Sequence, residues 1–232
     1  MSRARRPDHA ETVSDHWWWR PGWRPGRRGY TFHITFNDAD GAVVGATELH
    51  RLAAQYADRL FGMEGLNVVP VEWIHLTIQN VGFTDEVSDR QLHEIVQAAR
   101  VSCARVGPFV LDFAEAVVMR EAVALFPLVW EPVSGLRDRL RMAIGSVLGA
   151  DAVTTAPEQA QGFRPHVSVA YIRQSGSAGP FIAKVESPDV EPATVEVRAV
   201  SLIALIRDDH LYRWETQAVI PLGSPPVIES LA

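Results

Sequence analysis

The chain has 232 residues, of which 47% are hydrophobic and 22% charged; this is ordinary globular composition, and it excludes a wholly disordered or low-complexity chain. The length suits one domain or two small ones. Twenty-eight acids against 22 bases leave a formal charge of −6, so bulk electrostatics does not announce a nucleic-acid binder, although net charge hides distribution.

Residues 1–29 hold seven arginines (Arg3, Arg5, Arg6, Arg20, Arg24, Arg27, Arg28) against three acids, a local +4 that leaves −10 for the remainder. Trp17, Trp18, Trp19 and Trp23 are four of the seven tryptophans. This basic, aromatic leader contains a tandem, Trp19-Arg20-Pro21-Gly22 and Trp23-Arg24-Pro25-Gly26, whose prolines and glycines predict an irregular arm. No apolar stretch follows the arginines, so no secretory signal is expected. No run approaches the ~20 apolar residues of a membrane span. Cys103 is the only cysteine and reads as a small buried hydrophobe on a helix. A cytoplasmic protein without membrane contact, and a monomer, is the expectation.

Beyond the leader, Tyr30, Phe32, Ile34 and Phe36 alternate with Thr31, His33 and Thr35, the period-two pattern of a half-buried strand. Asn37 to Gly41 ends it as a turn. A helix is predicted from about Thr47 to Leu60, then a strand from Val69 to Gly82, then a helix from Ser88 to Arg105. A strand pair, Phe109–Met119 and Ala122–Trp130, precedes a helix over Ser134–Leu148. A looser segment, Gly149 to Gln161, leads to a strand over Pro165–Arg173, a Ser/Gly stretch over Ser175–Gly179 and a short helix near Pro180–Val185. Val195–Arg207 and Leu211–Leu222 read as a closing hairpin, and the tail after Gly223 reads as loose.

The order strand, helix, strand, helix occurs twice, before Arg105 and after it. Short alternating strands favour an antiparallel α+β fold of two similar lobes with outer helices over a doubly wound parallel sheet. The domain division is therefore an arm over 1–29, a domain over 30–222 with lobes of roughly 30–105 and 106–222, and a tail over 223–232.

One short motif recurs with the elements. It appears as Ile74-His75-Leu76-Thr77-Ile78 and, 91 residues later, as Pro165-His166-Val167-Ser168-Val169. Alternation puts His75 with Thr77, and His166 with Ser168, on the face opposite the apolar residues. Eight histidines and 23 serines and threonines would give about 0.8 such pairs by chance. There are three, since His33-Ile34-Thr35 also fits, and two of them stand at corresponding places in the two halves. In-line cleavage of a phosphodiester needs a base on one side of phosphorus and an acid on the other. Two imidazoles across a cleft supply both near neutral pH, and the hydroxyls can donate to the non-bridging oxygens.

These two motifs resemble those of the 2H phosphoesterase superfamily, which includes the bacterial 2′-5′ RNA ligase-like proteins and RNA 2′,3′-cyclic phosphodiesterases. His75-Leu76-Thr77-Ile78 followed by Gly82 resembles the first motif, and Pro165-His166-Val167-Ser168-Val169-Ala170-Tyr171 the second. The resemblance implies a pseudo-symmetric α+β fold with the active site in a cleft between the lobes. It implies a metal-independent phosphodiesterase with no cofactor, acting on an RNA end or small nucleotide that carries a 2′,3′-cyclic phosphate or a 2′-5′ linkage. His75 and His166 become the acid/base pair, and Thr77 and Ser168 the phosphate clamps. Alternatives are a hydrolase of 2′-5′-linked or cyclic oligonucleotides and a non-catalytic RNA-binding module. Two features depart from the pattern: many bacterial members carry an arginine after the second motif, where Ala170-Tyr171 stands here, and the Trp/Arg leader lies outside it.

His33 shares the outward parity of its strand and is a candidate substrate contact, although a histidine satisfied within the sheet is the commoner outcome. Trp73 and Gln79 share the parity of His75 and are candidate base contacts. Three strand histidines also raise a zinc site, but nothing near them supplies an obvious general base or carboxylate second shell. His93-Glu94 lacks a second histidine at position 97, and Asp38 to Gly41 lacks the later ligands of a calcium loop. Lys184, the only lysine, has no glycine-rich loop before it. The leader itself has two readings: its indoles cover apolar sheet while its arginines snorkel outward, or its indoles and arginines grip single-stranded nucleic acid.

Overall fold

The computed structural model describes residues 7–37, 41–153, 162–186 and 189–223. The centre of the turn expected at Asn37–Gly41, most of the loose segment before Gln161 and the tail beyond Gly223 lie outside the described residues.

The arm opens with a two-residue strand, β1 (Thr12–Val13). The alternating Tyr30 segment forms β2 (Arg28–Thr35), followed by the short β3 (Val43–Val44) and helix α1 (Ala46–Leu60). Of the strand expected over Val69–Gly82 only the part from His75 forms, as β5 (His75–Phe83); a single 3₁₀ turn over Val71–Trp73 divides it from the short β4 (Leu66–Val68), which lies before the expected range. Pro70 stands at the break, where a missing N–H cannot extend a ladder.

Helix α2 (Asp89–Cys103) begins at a capping box: the Ser88 hydroxyl accepts from the Gln91 backbone N–H, and the Gln91 side chain accepts from the Ser88 N–H. The box fixes the helix start beside Ser88, where the helix was expected to begin. Strands β6 (Phe109–Val118) and β7 (Ala122–Pro127) form the expected pair, and helix α3 (Glu131–Leu148) starts three residues earlier than predicted because Pro132 is accommodated in its first turn. Then come β8 (Val167–Ile172), the short β9 (Gly176–Ser177), which pairs with β1, and α4 (Gly179–Val185).

The strand expected over Val195–Arg207 also divides, into β10 (Ala193–Val197) and β11 (Ala199–Asp208), before β12 (Leu211–Pro221). The backbone N–H groups of Arg198 and Ala199 both donate to the Ala42 carbonyl, at 2.8 and 3.0 Å. That shared acceptor turns the chain, so β10 pairs with β6 and β3 while β11 pairs with β2 and β12.

The result is a mixed α+β fold on one curled antiparallel sheet, in the order β12-β11-β2-β5-β8-β7-β6-β10-β3, with β4 beside β8. One lobe is β12-β11-β2-β5 and the other is β8-β7-β6-β10-β3. They are not the consecutive halves 30–105 and 106–222. Helix α1, from the first half of the chain, packs on β10, β6, β8 and α4, whereas α3, from the second, packs on α2 and β5. The cause is the return of β11 and β12 to pair with β2, which leaves each half's helix under the other half's strands.

The main core lies between the helices and one face of the sheet, with Phe32, Leu49, Leu52, Leu76, Ile95, Leu125, Leu140 and Val167 fully buried. A smaller apolar cluster of Val117, Ala124 and Phe126, with Met119 and Trp130 against it, sits apart on the other face. The arm folds back onto this framework. Trp23 packs edge-on to Phe83 at 5.2 Å, Arg27 lies 3.6 Å over the same ring, and Arg27 pairs with Asp85 and Glu86. No helix among the described residues is long and apolar enough to cross a membrane.

Gly45 precedes α1 with φ +92, and a Cβ there would sit 2.5 Å from the Thr194 carbonyl oxygen on β10. The Gly45→Ala variant is expected to lose roughly 1–3 kcal/mol from backbone strain alone. In contrast, Gly135→Ala adds a methyl into open space on an exposed face of α3 and is expected to gain up to about 1 kcal/mol. Urea denaturation midpoints of the two variants check both signs.

Candidate functional site

The two motifs stand side by side because β5 and β8 touch at one register position, Leu76 opposite Val167. In an antiparallel pair, one step to either side sets His75 across from Ser168 and Thr77 across from His166. Leu76 and Val167 point into the main core, which turns the four polar residues to the opposite face. The histidines and hydroxyls are thereby related by a local two-fold axis.

Both histidines are oriented in the same way. His75 Nδ1 lies 2.8 Å from the Trp73 carbonyl oxygen, and His166 Nδ1 lies 2.8 Å from the Arg164 carbonyl oxygen. A carbonyl only accepts, so each Nδ1 carries the hydrogen. In the neutral ring the lone pair is then on Nε2, the atom on the far side from the backbone.

His33 packs flat against His75, with ring centroids 4.5 Å apart and planes 1° from parallel. It is 1% exposed. Its Nε2 is 3.2 Å from Thr77 Oγ1, and its Nδ1 is buried with no hydrogen-bond partner. An unpaired lone pair costs less there than an unpaired N–H, so the fitting tautomer has Nε2–H donating to Thr77 Oγ1. That bond leaves the Thr77 hydrogen to point elsewhere.

Trp214 and Tyr212 of β12 cover the His75 ring edge-on, at 5.3 and 5.9 Å, and Trp73 meets Trp214 at 4.8 Å. His75 is 9% exposed. Burial pushes its pKa down to about 4, against the pull of the Trp73 carbonyl and with the help of a charge on His166. The pKa of His33 is pushed well below the ordinary value by burial and by the adjacent His75. His166 is half-buried, with Phe126 5.8 Å away and Trp130 stacked on Phe126 at 6.1 Å.

Strict alternation breaks just after each motif, at equivalent places. The register of β5 against β2 slips between His33–Thr77 and Phe32–Gln79, and that of β7 against β8 slips between Ala124–Ser168 and Val123–Ala170. Each slip is a one-residue bulge immediately after the motif, at Ile78 and at Val169. The first bulge corrects the expectation for Gln79: it is buried beside Phe32, and its Oε1 accepts from Arg141 of α3 at 3.0 Å, on the helix side of the sheet. The second brings Tyr171 round to the side of Ser168. Tyr171 thus occupies the place that alternation assigns to Ala170. Alternation along β12 does group Tyr212 with Trp214, but only the curl of the sheet shows that this face meets His75.

Among the described residues, no three His, Cys, Asp or Glu side chains are placed to hold a metal ion. Cys103 is buried, as expected of a small core residue, and burial pushes its thiol up to about 11.

The family model of the 2′-5′ RNA ligase superfamily matches residues 46–209. The chain belongs to this superfamily. The assignment agrees with the 2H phosphoesterase pattern of the two His-x-Thr/Ser motifs. Among solved structures, TT0787 of Thermus thermophilus superposes with a TM-score of 0.60 at 18% identity, covering 86% of this chain and 100% of that one. E. coli LigT complexed with NADP+ gives 0.57 at 17%, covering 85% and 99%, and a crystal structure described as a phosphoesterase gives 0.57 at 18%, covering 84% and 98%. At these identities the superpositions establish the fold. No curated protein matches the sequence at a significant level.

Three histidines are held neutral by burial: His33, His75 and, in the arm, His16, whose pKa is also lowered to about 4. The unfolded chain takes these protons near 6.5, so it binds more protons than the native state below that pH. Stability is therefore complete above about pH 6.5 and is lost as pH falls toward 4, by roughly 3 kcal/mol each for His16 and His75. Urea midpoints should be flat above pH 7 and drop steeply between 6.5 and 4. The His16→Gln variant should shallow that slope by roughly 1.4 kcal/mol per pH unit; an unchanged slope would mean that His16 titrates normally in the native protein.

Proposed function

We propose that the protein is a metal-independent phosphodiesterase that opens 2′,3′-cyclic phosphates of RNA ends or nucleotides, with His75 as general base and His166 as general acid. The observation that carries this reading is the matched pair of imidazoles, each pinned through Nδ1–H to the carbonyl two residues earlier and each set across from the other motif's hydroxyl. A base must be neutral before it acts, and the buried His75 disfavours its charged form. The half-buried His166 keeps solvent beside its ring for the protonated state.

In this reaction His75 Nε2 takes a proton from water as the water oxygen bonds to phosphorus. The bond from phosphorus to one ribose oxygen breaks, and His166 delivers its proton to that oxygen, leaving a monoester. The products carry every atom of the cyclic phosphate and one water. Thr77 and Ser168 donate to the non-bridging oxygens as their charge grows. Thr77 is prepared for this because its oxygen already accepts from His33, which aims its hydrogen outward. The aromatic pairs Trp73 with Trp214 and Phe126 with Trp130 flank the two histidines and give a base a surface to stack on. That the E. coli LigT fold has been solved with 3′-AMP, with ATP and with NADP+ supports a nucleotide ligand for this fold.

Wild type, His75→Ala and His166→Ala are to be compared on cyclic-phosphate RNA ends, cyclic mononucleotides and 2′-5′ oligonucleotides, with and without chelator. Each alanine variant should lose roughly 10²–10⁴-fold in kcat, and chelator should change nothing. A rate abolished by chelator rejects the two-imidazole mechanism, and RNA binding without any turnover favours the binding-module reading. The acid limb of kcat/KM should fall only below about pH 4, where His75 takes up its proton.

A further inference from the structure

The arm's middle segment packs on the face of the sheet that carries Ser168 and against Tyr212, the ring that covers His75. Along the β8 lobe, the Ser14 N–H donates to the Arg120 carbonyl at 2.7 Å and the His16 N–H to the Ile172 carbonyl at 2.8 Å. The His16 ring then stacks on Tyr171, with centroids 4.2 Å apart and planes 21° from parallel. Tyr171 is on the Ser168 side of the sheet, so His16 lies on the groove side as well.

From there the arm crosses to the other lobe. His16 Nε2 is 3.0 Å from the Tyr212 hydroxyl, and Tyr212 is the ring that covers His75. Arg207 of β11 donates to the carbonyls of His16 and Trp18 and, through Nε, to the Tyr212 hydroxyl at 3.1 Å. Arg20 pairs with Glu121, at the β6–β7 turn, at 2.7 Å. Trp17 fills the space between Tyr171, Tyr212 and His210, with ring centroids 5.2–5.6 Å away.

Arg20 and Arg207 are only 7% and 4% exposed. A guanidinium at that depth is tolerated only when its partners are in place, and removing one leaves a buried charge uncompensated. Burial alone would raise the Glu121 carboxyl, but the nearby His16 ring, 3.5 Å away, and the charge of Arg20 hold it below its usual range. A lightly draped tail would not bury two arginines and pack an indole against three rings. The contact also falls between two lobes whose strands β5 and β8 share a single pair, so the arm closes what the sheet leaves open.

We propose that the arm, through His16, Trp17 and Arg20, is a fixed end wall of the groove and confines the ligand to a phosphate at the end of a nucleotide or RNA strand. A phosphodiester with a nucleotide on both sides would have to pass through the space that Trp17 and His16 fill. A cyclic phosphate has a nucleoside on one side only. The inference rests on the phosphodiesterase reading for the location of the scissile group, and on the arm's packing for the discrimination.

Binding and turnover separate the two. Wild type, Trp17→Ala and Arg20→Gln are titrated by calorimetry with 3′-AMP, a terminal phosphate, and with a 2′-5′-linked adenylate trimer lacking terminal phosphates. Turnover of adenosine 2′,3′-cyclic phosphate is measured in parallel. Thermal unfolding identifies variants that fold, and Arg20→Gln, which releases the arm from Glu121, serves should Trp17→Ala fail to fold. Wild type should bind 3′-AMP at least about tenfold more tightly than the trimer, and a folded arm variant should shrink that ratio to about threefold or less. Equal binding of the two probes by wild type, or an unchanged ratio in a folded variant, overturns the end wall. Discriminating binding without turnover of the cyclic phosphate sinks the phosphodiesterase reading and leaves the wall standing. A wild type that binds neither probe overturns both.

Discussion

The molecule's chemistry hangs on one strand contact. Strands β5 and β8 meet where Leu76 faces Val167, and both side chains are fully buried in the main core. Hydrophobic burial of these two residues leaves the neighbouring imidazoles and hydroxyls no choice of face, since side chains alternate across a strand. A longer ladder would flatten the junction. A single pair lets the strands splay, and the sheet curls into two lobes around the polar residues. The lobes exchange helices, so α1 lies under one and α3 under the other, and neither half of the chain has a complete core alone.

Burial is what differentiates the two histidines. Their backbone anchors are equivalent, carbonyls two residues back at 2.8 Å. Their surroundings are not: the stacked His33 and the edges of Tyr212 and Trp214 enclose His75, while His166 keeps solvent beside Phe126 and Trp130. Desolvation penalises a charged imidazole far more than a neutral one. An arrangement that is symmetric in hydrogen bonding is thus asymmetric in burial, and burial disfavours the charged form of His75. The cost is acid sensitivity, because neutral histidines in the native state give the unfolded chain the advantage in proton binding.

The arm's charge takes on a different meaning in three dimensions. Along the chain its local +4 fits either packing on the sheet or a phosphate-binding surface; in the fold Arg20 and Arg27 are taken up by Glu121, Asp85 and Glu86, and Arg28 by Glu215. Trp17 and Trp23 are spent on packing against Tyr171, Tyr212 and Phe83. Trp18 and Trp19 remain 42% and 52% exposed, although the Trp18 indole N–H donates to Glu121. Among the described residues, arginines of the leader are paired with acids of the body, so the leader's local charge says little about the ligand.

Local patterning was enough to place the two motifs, their strand context, the antiparallel α+β class and the start of α2 at Ser88. All of these follow from rules that act over a few residues: side-chain periodicity, a capping box and a repeated residue pattern. Tertiary packing was needed to turn Gln79 toward α3, to bring Tyr171 to Ser168, to divide Val195–Arg207 at Arg198, and to return β11 and β12 to the first lobe. A bulge adds one residue without changing composition, so period-two reading passes over it and assigns every later side chain to the wrong face. Strand pairing is non-local, set by which edges are free once the helices have packed. The residues equipped for chemistry could be read from the chain; the surfaces that enclose them depended on how distant strands closed together.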